Sequence, residues 1–126
     1  MNIYFILAGV IGLIGALMHI FMGFGGLHKW LEKHGNTQME DHMHGLLSFF
    51  WHFGSMLVLS LSALLLLEGL NLIPIHAHLQ WFICVIWLIM TLFYILLLRP
   101  YRQEQGVMLP AYAGVISSVL ILIGIF

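Results

Sequence analysis

Four long apolar runs, over residues 4–24, 45–67, 75–98 and 108–126, constrain the fold of this chain more than any other feature. None of them contains a charged residue, and about 20 such residues are enough for a helix to cross the hydrocarbon core of a bilayer. Over all 126 residues the charged fraction is 7%, whereas about a quarter of the residues of a soluble domain are charged. The sequence therefore predicts an all-α membrane protein with four transmembrane helices.

The connections between these runs predict where the helices begin and end. Gly69 and Asn71 are typical of a helix C-terminus, and Pro74 is suited to the first turn of the following helix. Thr37 and Glu40 have the spacing of a capping box, which indicates that the second helix begins next to them. We predict a single domain, 1–126, with helices over 3–24, 38–68, 74–98 and 108–126 and an interfacial helix over 26–34.

The few cations predict the orientation in the membrane. Lys29 and Lys33 lie between the first two apolar runs, and Arg99 and Arg102 lie between the last two. Lys and Arg next to membrane spans are retained on the cytoplasmic side. The chain should therefore form an antiparallel up-down bundle with both termini on the non-cytoplasmic side. We expect it in the inner (cytoplasmic) membrane of a bacterium.

Two of the eight histidines are predicted to lie deep in the membrane. On a helical projection His19 is the one polar residue on a face of small residues, and His52 shares a stripe with Ser48, Ser55 and Ser62. Residues equally far from a hairpin turn lie at similar depth, which places Tyr94 level with both histidines in the cytoplasmic half. Thr91 and Ser117 are expected near the same level. A buried polar side chain needs a partner, so this layer is the predicted functional site.

A b-type haem is one ligand that would fit this layer. Two imidazoles from facing helices can be the axial pair of a haem iron, with Tyr94 hydrogen-bonding nearby. The small residues around His19 would leave room for a flat macrocycle, and Lys29, Arg99 and Arg102 could pair with its propionates. The predicted cofactor-binding residues are thus His19, His52 and Tyr94. The chain has no C-x-x-C-H motif for covalent attachment of haem.

A transition metal ion is the other predicted ligand. The sequence Met39-Glu40-Asp41-His42-Met43-His44 contains thioethers and imidazoles that suit copper, and carboxylates that suit zinc or iron. The candidate metal ligands are Glu40, His42 and His44. Asp41-x-x-His44 resembles half of the carboxylate-histidine motif of di-iron bundles, but the chain lacks a second copy on another helix.

Two further functions remain open from the sequence. In one, the chain is a non-catalytic subunit of a membrane complex, contacting other subunits or its own copies through Gly-rich helix faces. In the other, it is a metal or proton transport component that uses the polar stripe of the second helix. No acidic residue lies in the centre of a predicted span, which counts against a proton pump.

Composition excludes a nucleic-acid partner and assigns no catalytic residue. The net charge is −1, so the chain has no basic surface of the kind that binds phosphates. The partner that the sequence does predict is the lipid bilayer. Trp51, like the other tryptophans near helix ends, is interpreted as an ordinary interfacial aromatic.

Overall fold

The computed structural model of the chain describes residues 1–23, 41–98 and 109–126, with the side chains of residues 1–21, 48–96 and 111–126. These residues form four α-helices, and no β-strand occurs among them. The helices are α1 (Ile3–Met18), α2 (Asp41–Gly69), α3 (Ala77–Leu98) and α4 (Leu109–Ile125), and a short π-helical segment (His19–Gly23) continues α1. The predicted all-helical class is confirmed. The predicted interfacial helix over 26–34 lies outside the described residues.

Three of the helical stretches are long and apolar enough to cross a bilayer. They are Ile3–Phe21, Ser48–Gly69 and Ala77–Leu96, and a shorter apolar helix covers Ala111–Ile125. At 1.5 Å per residue, the 17 residues of α4 extend about 25 Å, which is less than the hydrocarbon thickness of roughly 30 Å. Within the part of the chain that is described, three candidate spans indicate a membrane location.

Asn2 fastens the start of α1 to the ends of two other helices. Its side-chain oxygen caps α1 by accepting hydrogen bonds from the backbone N–H groups of Tyr4 and Phe5. Its own backbone N–H donates to the Gly69 carbonyl at 2.9 Å, and its side-chain amide donates to the Gly124 carbonyl at 2.7 Å. One residue therefore satisfies backbone groups at the ends of α1, α2 and α4.

The chain leaves α2 through a left-handed residue. The helix ends at Gly69, as the sequence predicts, and Asn71 has a φ of 58°, a conformation that Asn tolerates better than most residues. The backbone N–H of Leu72 closes the helix end by donating to the carbonyl of Leu67 at 2.9 Å. The chain then passes Pro74 and begins α3 at Ala77.

Close approach of helices at small residues builds the core. Helix α1 packs against α2 and α4, and α3 packs against α4. A Cβ atom added at Gly9 would lie 2.8 Å from the carbonyl oxygen of Ser62, and one added at Gly12 would lie 2.6 Å from the Trp87 ring. Glycine is needed at both positions because no larger residue fits. The main cluster of buried residues comprises Phe5, Ala8, Leu61, Leu65, Ile83, Cys84, Trp87 and Ile121.

The polar contacts fall at two separate levels along the helices. At the first level the start of α1 meets the ends of α2 and α4 at Asn2, and Gln80 near the start of α3 contacts Glu68. At the second level the end of α1 carries His19, which contacts Ser55 of α2 and Tyr94 of α3. The apolar core cluster separates the two levels. The histidine site is therefore built where α1 ends.

Candidate histidine site

His19 is the first residue of the π-helical segment, so the regular geometry of α1 ends where the site begins. A π-turn changes the direction in which side chains leave the helix and frees a backbone carbonyl from its usual partner; such turns often occur at functional sites. Here the indole N–H of Trp51 donates to the backbone carbonyl of His19 at 3.2 Å. This bond joins α2 to the start of the π-helical segment.

Ser55 is the hydrogen-bond partner of the His19 ring. The Nδ1 atom of His19 lies 2.6 Å from the Oγ of Ser55, and that hydroxyl also lies 2.9 Å from the backbone carbonyl of Trp51. A hydroxyl has one proton and a carbonyl can only accept, so when Ser55 donates to Trp51 its oxygen accepts from the Nδ1–H of His19. In that tautomer the lone pair of the neutral imidazole is on Nε2, the nitrogen that does not face Ser55.

Two aromatic residues hold the plane of the His19 ring. Trp51 stacks on it with ring centroids 3.7 Å apart and an angle of 11° between the planes. Tyr94 approaches it edge-on, with centroids 6.4 Å apart and an angle of 64°. The orientation of the ring is thus set by side chains of α2 and α3, as preorganisation of a metal ligand requires.

His52 lies beside this cluster and points outward. Its side chain is exposed, whereas those of Ser55 and Ser62 on the same helix are 2% and 0% exposed. Its imidazole is nevertheless close enough to interact electrostatically with that of His19. The structure therefore brings the two predicted histidines into one neighbourhood, with Ser55 occupying the inward position.

The other predicted residues take several positions. Tyr94 lies at the site. Thr91 and Ser117 are buried, and Thr91 packs against Gly114 of α4. His42 and His44 belong to α2, but their side chains lie outside the described part of the chain. Glu40 also lies outside it, as do Lys29, Arg99 and Arg102.

The small face of α1 leaves less room than its composition predicts. Backbone of α2 fills the space at Gly9, and Trp87 and Ser62 fill the space at Gly12. At Gly15, one turn before His19, no atom of the described residues lies within 4 Å of the position that a Cβ would take. Within the described part of the chain, open space next to His19 is therefore found at the level of Gly15, and Gly9 and Gly12 serve helix packing.

Within the described residues, no group of three or more His, Cys, Asp or Glu side chains could hold a metal ion. The imidazoles of His19 and His52 are the ligating side chains that this region does bring near each other. A metal bound there would need its remaining ligands from elsewhere, either from water, a macrocycle or the rest of the chain.

Trp51 is the functional residue that the sequence interpretation missed. At about 100° per residue, Trp51 lies about 40° from Ser55 on the helical projection, whereas His52 lies about 60° away on the other side. Ser55 and Ser62 mark the buried face of α2, and Trp51 lies closer to that face than His52 does. The projection thus favours Trp51 as the residue that points toward the other helices. That angular difference was the available signal.

Comparison with known proteins does not supply a relative. We found no family model, curated protein or solved structure that matches this chain. The functional argument accordingly depends on the geometry around His19.

Proposed function

We propose that this chain is an integral membrane protein whose His19 binds the metal of a cofactor through Nε2, with His52 as a second ligand and Tyr94 as a neighbouring hydrogen-bonding group. The cofactor is a b-type haem or a transition metal ion (Cu, Zn or Fe). The observation that carries the proposal is the His19–Ser55–Trp51 arrangement, and we propose that it holds His19 in the tautomer with an unprotonated Nε2.

This arrangement matches what metal-ligating histidines require. Such residues donate their second ring N–H to an acceptor, which fixes the tautomer and the ring orientation and raises ligand basicity. In His19 the Ser55 hydroxyl supplies that acceptor and Trp51 fixes the plane. Neutral imidazole is the commonest protein ligand for transition metals.

The space around the site bears on the choice of cofactor. The filled groove at Gly9 and Gly12 favours a single ion over a macrocycle placed between α1 and α2. A haem would instead lie toward Gly15 and the exposed side of His52. Glu40, His42 and His44 precede His52 by at least eight residues, or about 12 Å of helix, so we assign them to a separate metal or proton entry at the cytoplasmic mouth.

We propose the following topology for this function. The four helices form an antiparallel up-down bundle that crosses the inner membrane of a bacterium, with both termini outside. The contacts of Asn2 with the ends of α2 and α4 and the distribution of Lys and Arg support it. The histidine site then lies in the cytoplasmic half.

The alternative is a non-catalytic subunit of a membrane complex. The His19–Ser55 hydrogen bond joins α1 to α2, and interhelical hydrogen bonds of this kind also stabilise bundles that bind nothing. A metal or proton transport component is a variant of the main proposal. The proposed cofactor-binding protein and the non-catalytic subunit differ in whether a metal is bound.

An absorption spectrum combined with elemental analysis of the protein in mild detergent tests the proposal. A Soret band, accompanied by resolved α and β bands on reduction, identifies haem, and stoichiometric copper, zinc or iron without that band identifies an ion. If neither is present, and neither Zn²⁺, Cu²⁺ nor haemin binds when added, the cofactor proposal is wrong. Co-purifying membrane subunits would then support the alternative.

Single substitutions locate the ligands. His19→Ala and His52→Ala should each abolish the bound signal, because each removes one imidazole from the metal. His42→Ala is the matched control and should retain the signal, because His42 lies about ten residues from His52 along the helix, or about 15 Å. Loss of the signal in His42→Ala but not in His19→Ala would place the site at the cytoplasmic mouth instead.

A further inference from the structure

Glu68 is an acid that lies within an apolar span and far along the chain from every cation. It is the last residue but one of α2, inside the candidate span Ser48–Gly69. The lysines precede the start of α2 and the arginines follow the end of α3. The sequence therefore places all four cations at the helix ends that are opposite to Glu68. The titratable groups described at its own end are the amino group of Met1, Tyr4, His76, His78 and the carboxyl group of Phe126, and all of these residues are exposed.

Gln80 establishes which oxygen of Glu68 accepts a hydrogen bond. The side-chain nitrogen of Gln80 donates to Oε1 of Glu68 and also lies 3.4 Å from the backbone carbonyl of Ile75. A backbone carbonyl only accepts, so the atom facing it is the amide nitrogen, and the same nitrogen faces Oε1. Oε1 is therefore an acceptor.

The second oxygen of Glu68 is buried without a donor. Oε2 has no hydrogen-bond partner among the described residues. An ionised carboxylate would place part of its charge on this buried oxygen without a donor among the described residues, which costs far more than burying a neutral polar group. The neutral acid has its carbonyl oxygen bonded and leaves only a hydroxyl unpaired.

We propose that Glu68 is a proton-binding site, in which the carboxyl is held neutral in the membrane with its proton on Oε2 and its Oε1 bonded to Gln80. The site lies at the opposite level of the bundle from His19 and does not depend on any cofactor there. Proton binding and release at Glu68 would involve the non-cytoplasmic surface in the proposed topology.

Infrared spectroscopy of the protein in phosphatidylcholine vesicles at pH 7 tests the assignment. The wild type minus Glu68→Gln difference spectrum should contain the C=O band of a protonated carboxyl, which shifts in D₂O. The acids of the polar connections, Glu32, Glu40, Asp41 and Glu104, are present in both proteins and cancel. Carboxylate stretching bands in place of the C=O band would overturn the proposal.

Two further measurements test the proposal without relying on the Glu68→Gln variant. In unsubstituted protein made with ¹³C-labelled glutamate, the protonated-carboxyl band should move to lower frequency; a spectrum without such a band would also overturn the proposal. Gln80→Leu should keep the band and raise its frequency, because the carbonyl oxygen loses its donor. If carboxylate bands appear in Gln80→Leu instead, Glu68 is ionised in that variant. That result would contradict the proposal that the buried position of Glu68 keeps it neutral.

Discussion

Ser55 is a small residue with a large effect on the chemistry of its neighbour. Its hydroxyl links the imidazole of His19 to the backbone of α2, and in the proposed site it accepts the Nδ1 proton. Ser62, two turns further along the same buried face, donates to the carbonyl of Val58 at 2.6 Å and lies next to Gly12. The two serines have similar burial and different partners, so they form a matched pair.

We expect Ser55→Ala to weaken metal binding by about 10–100-fold, the range found when the hydrogen-bond partner of a ligating histidine is removed. Ser62→Ala should leave the affinity unchanged, because its hydroxyl is bonded within α2. Titration of the metal-free protein with Zn²⁺, Cu²⁺ or haemin in detergent gives both dissociation constants. Equal losses in the two variants would mean that Ser55 acts through general packing.

The sequence predicted the polar residues of the site better than their partners. Helical periodicity identified His19, the inward serines and the neighbourhood of Tyr94, because burial of polar groups in an apolar helix is visible as a stripe. It did not identify Trp51, which stacks on His19. The interpretation followed the polar stripe through His52, although Trp51 lies closer to the direction of the buried Ser55 and Ser62 on the helical projection.

At the scale of elements, α1 combines a tightly packed segment with an open one. Gly9 and Gly12 lie against α2 and Trp87, whereas Gly15 faces open space immediately before the π-helical segment. The sequence shows the run of small residues but not which of them are covered. The π-turn was likewise unpredicted, since a regular 3.6-residue period does not encode where one extra residue is inserted.

Gly12→Ala and Gly15→Ala should therefore change stability in opposite directions. The added Cβ at Gly12 would lie 2.6 Å from the Trp87 ring, and overpacking of this kind costs about 1–3 kcal/mol. The added Cβ at Gly15 meets no atom of the described residues within 4 Å, and replacing a helical Gly by Ala stabilises by up to about 1 kcal/mol. Unfolding in detergent, followed by circular dichroism, measures both. A Gly12→Ala protein as stable as Gly15→Ala would show that α1 and α2 pack less closely.

On the scale of the whole molecule, the apolar runs of the sequence are sufficient to predict an all-helical membrane protein. The three long spans follow from composition and length alone, because only helices and closed barrels satisfy backbone groups in lipid. The multiple contacts of Asn2 with α2 and α4 could not be predicted, since they depend on how the helix ends meet. Orientation in the membrane is still a prediction from four cations.

Cysteine labelling of intact cells tests that orientation. In a Cys84→Ala background, Leu72→Cys should react with a membrane-impermeant maleimide, because Leu72 is 65% exposed in the connection between α2 and α3. Gln103→Cys, in the connection that carries Arg99 and Arg102, should react only after the membrane is permeabilised. The reverse pattern would place both termini in the cytoplasm.

The tautomer of His19 is the premise of the proposed cofactor site, and ¹⁵N NMR of histidine-labelled, metal-free protein in lipid measures it directly. The signals of His19, assigned by their loss in His19→Ala, should show a protonated Nδ1 and an unprotonated Nε2, and metal addition should shift the Nε2 signal. A protonated Nε2 with Nδ1 accepting from Ser55, unchanged by Zn²⁺, Cu²⁺ or haemin, would contradict the assignment of His19 as a ligand.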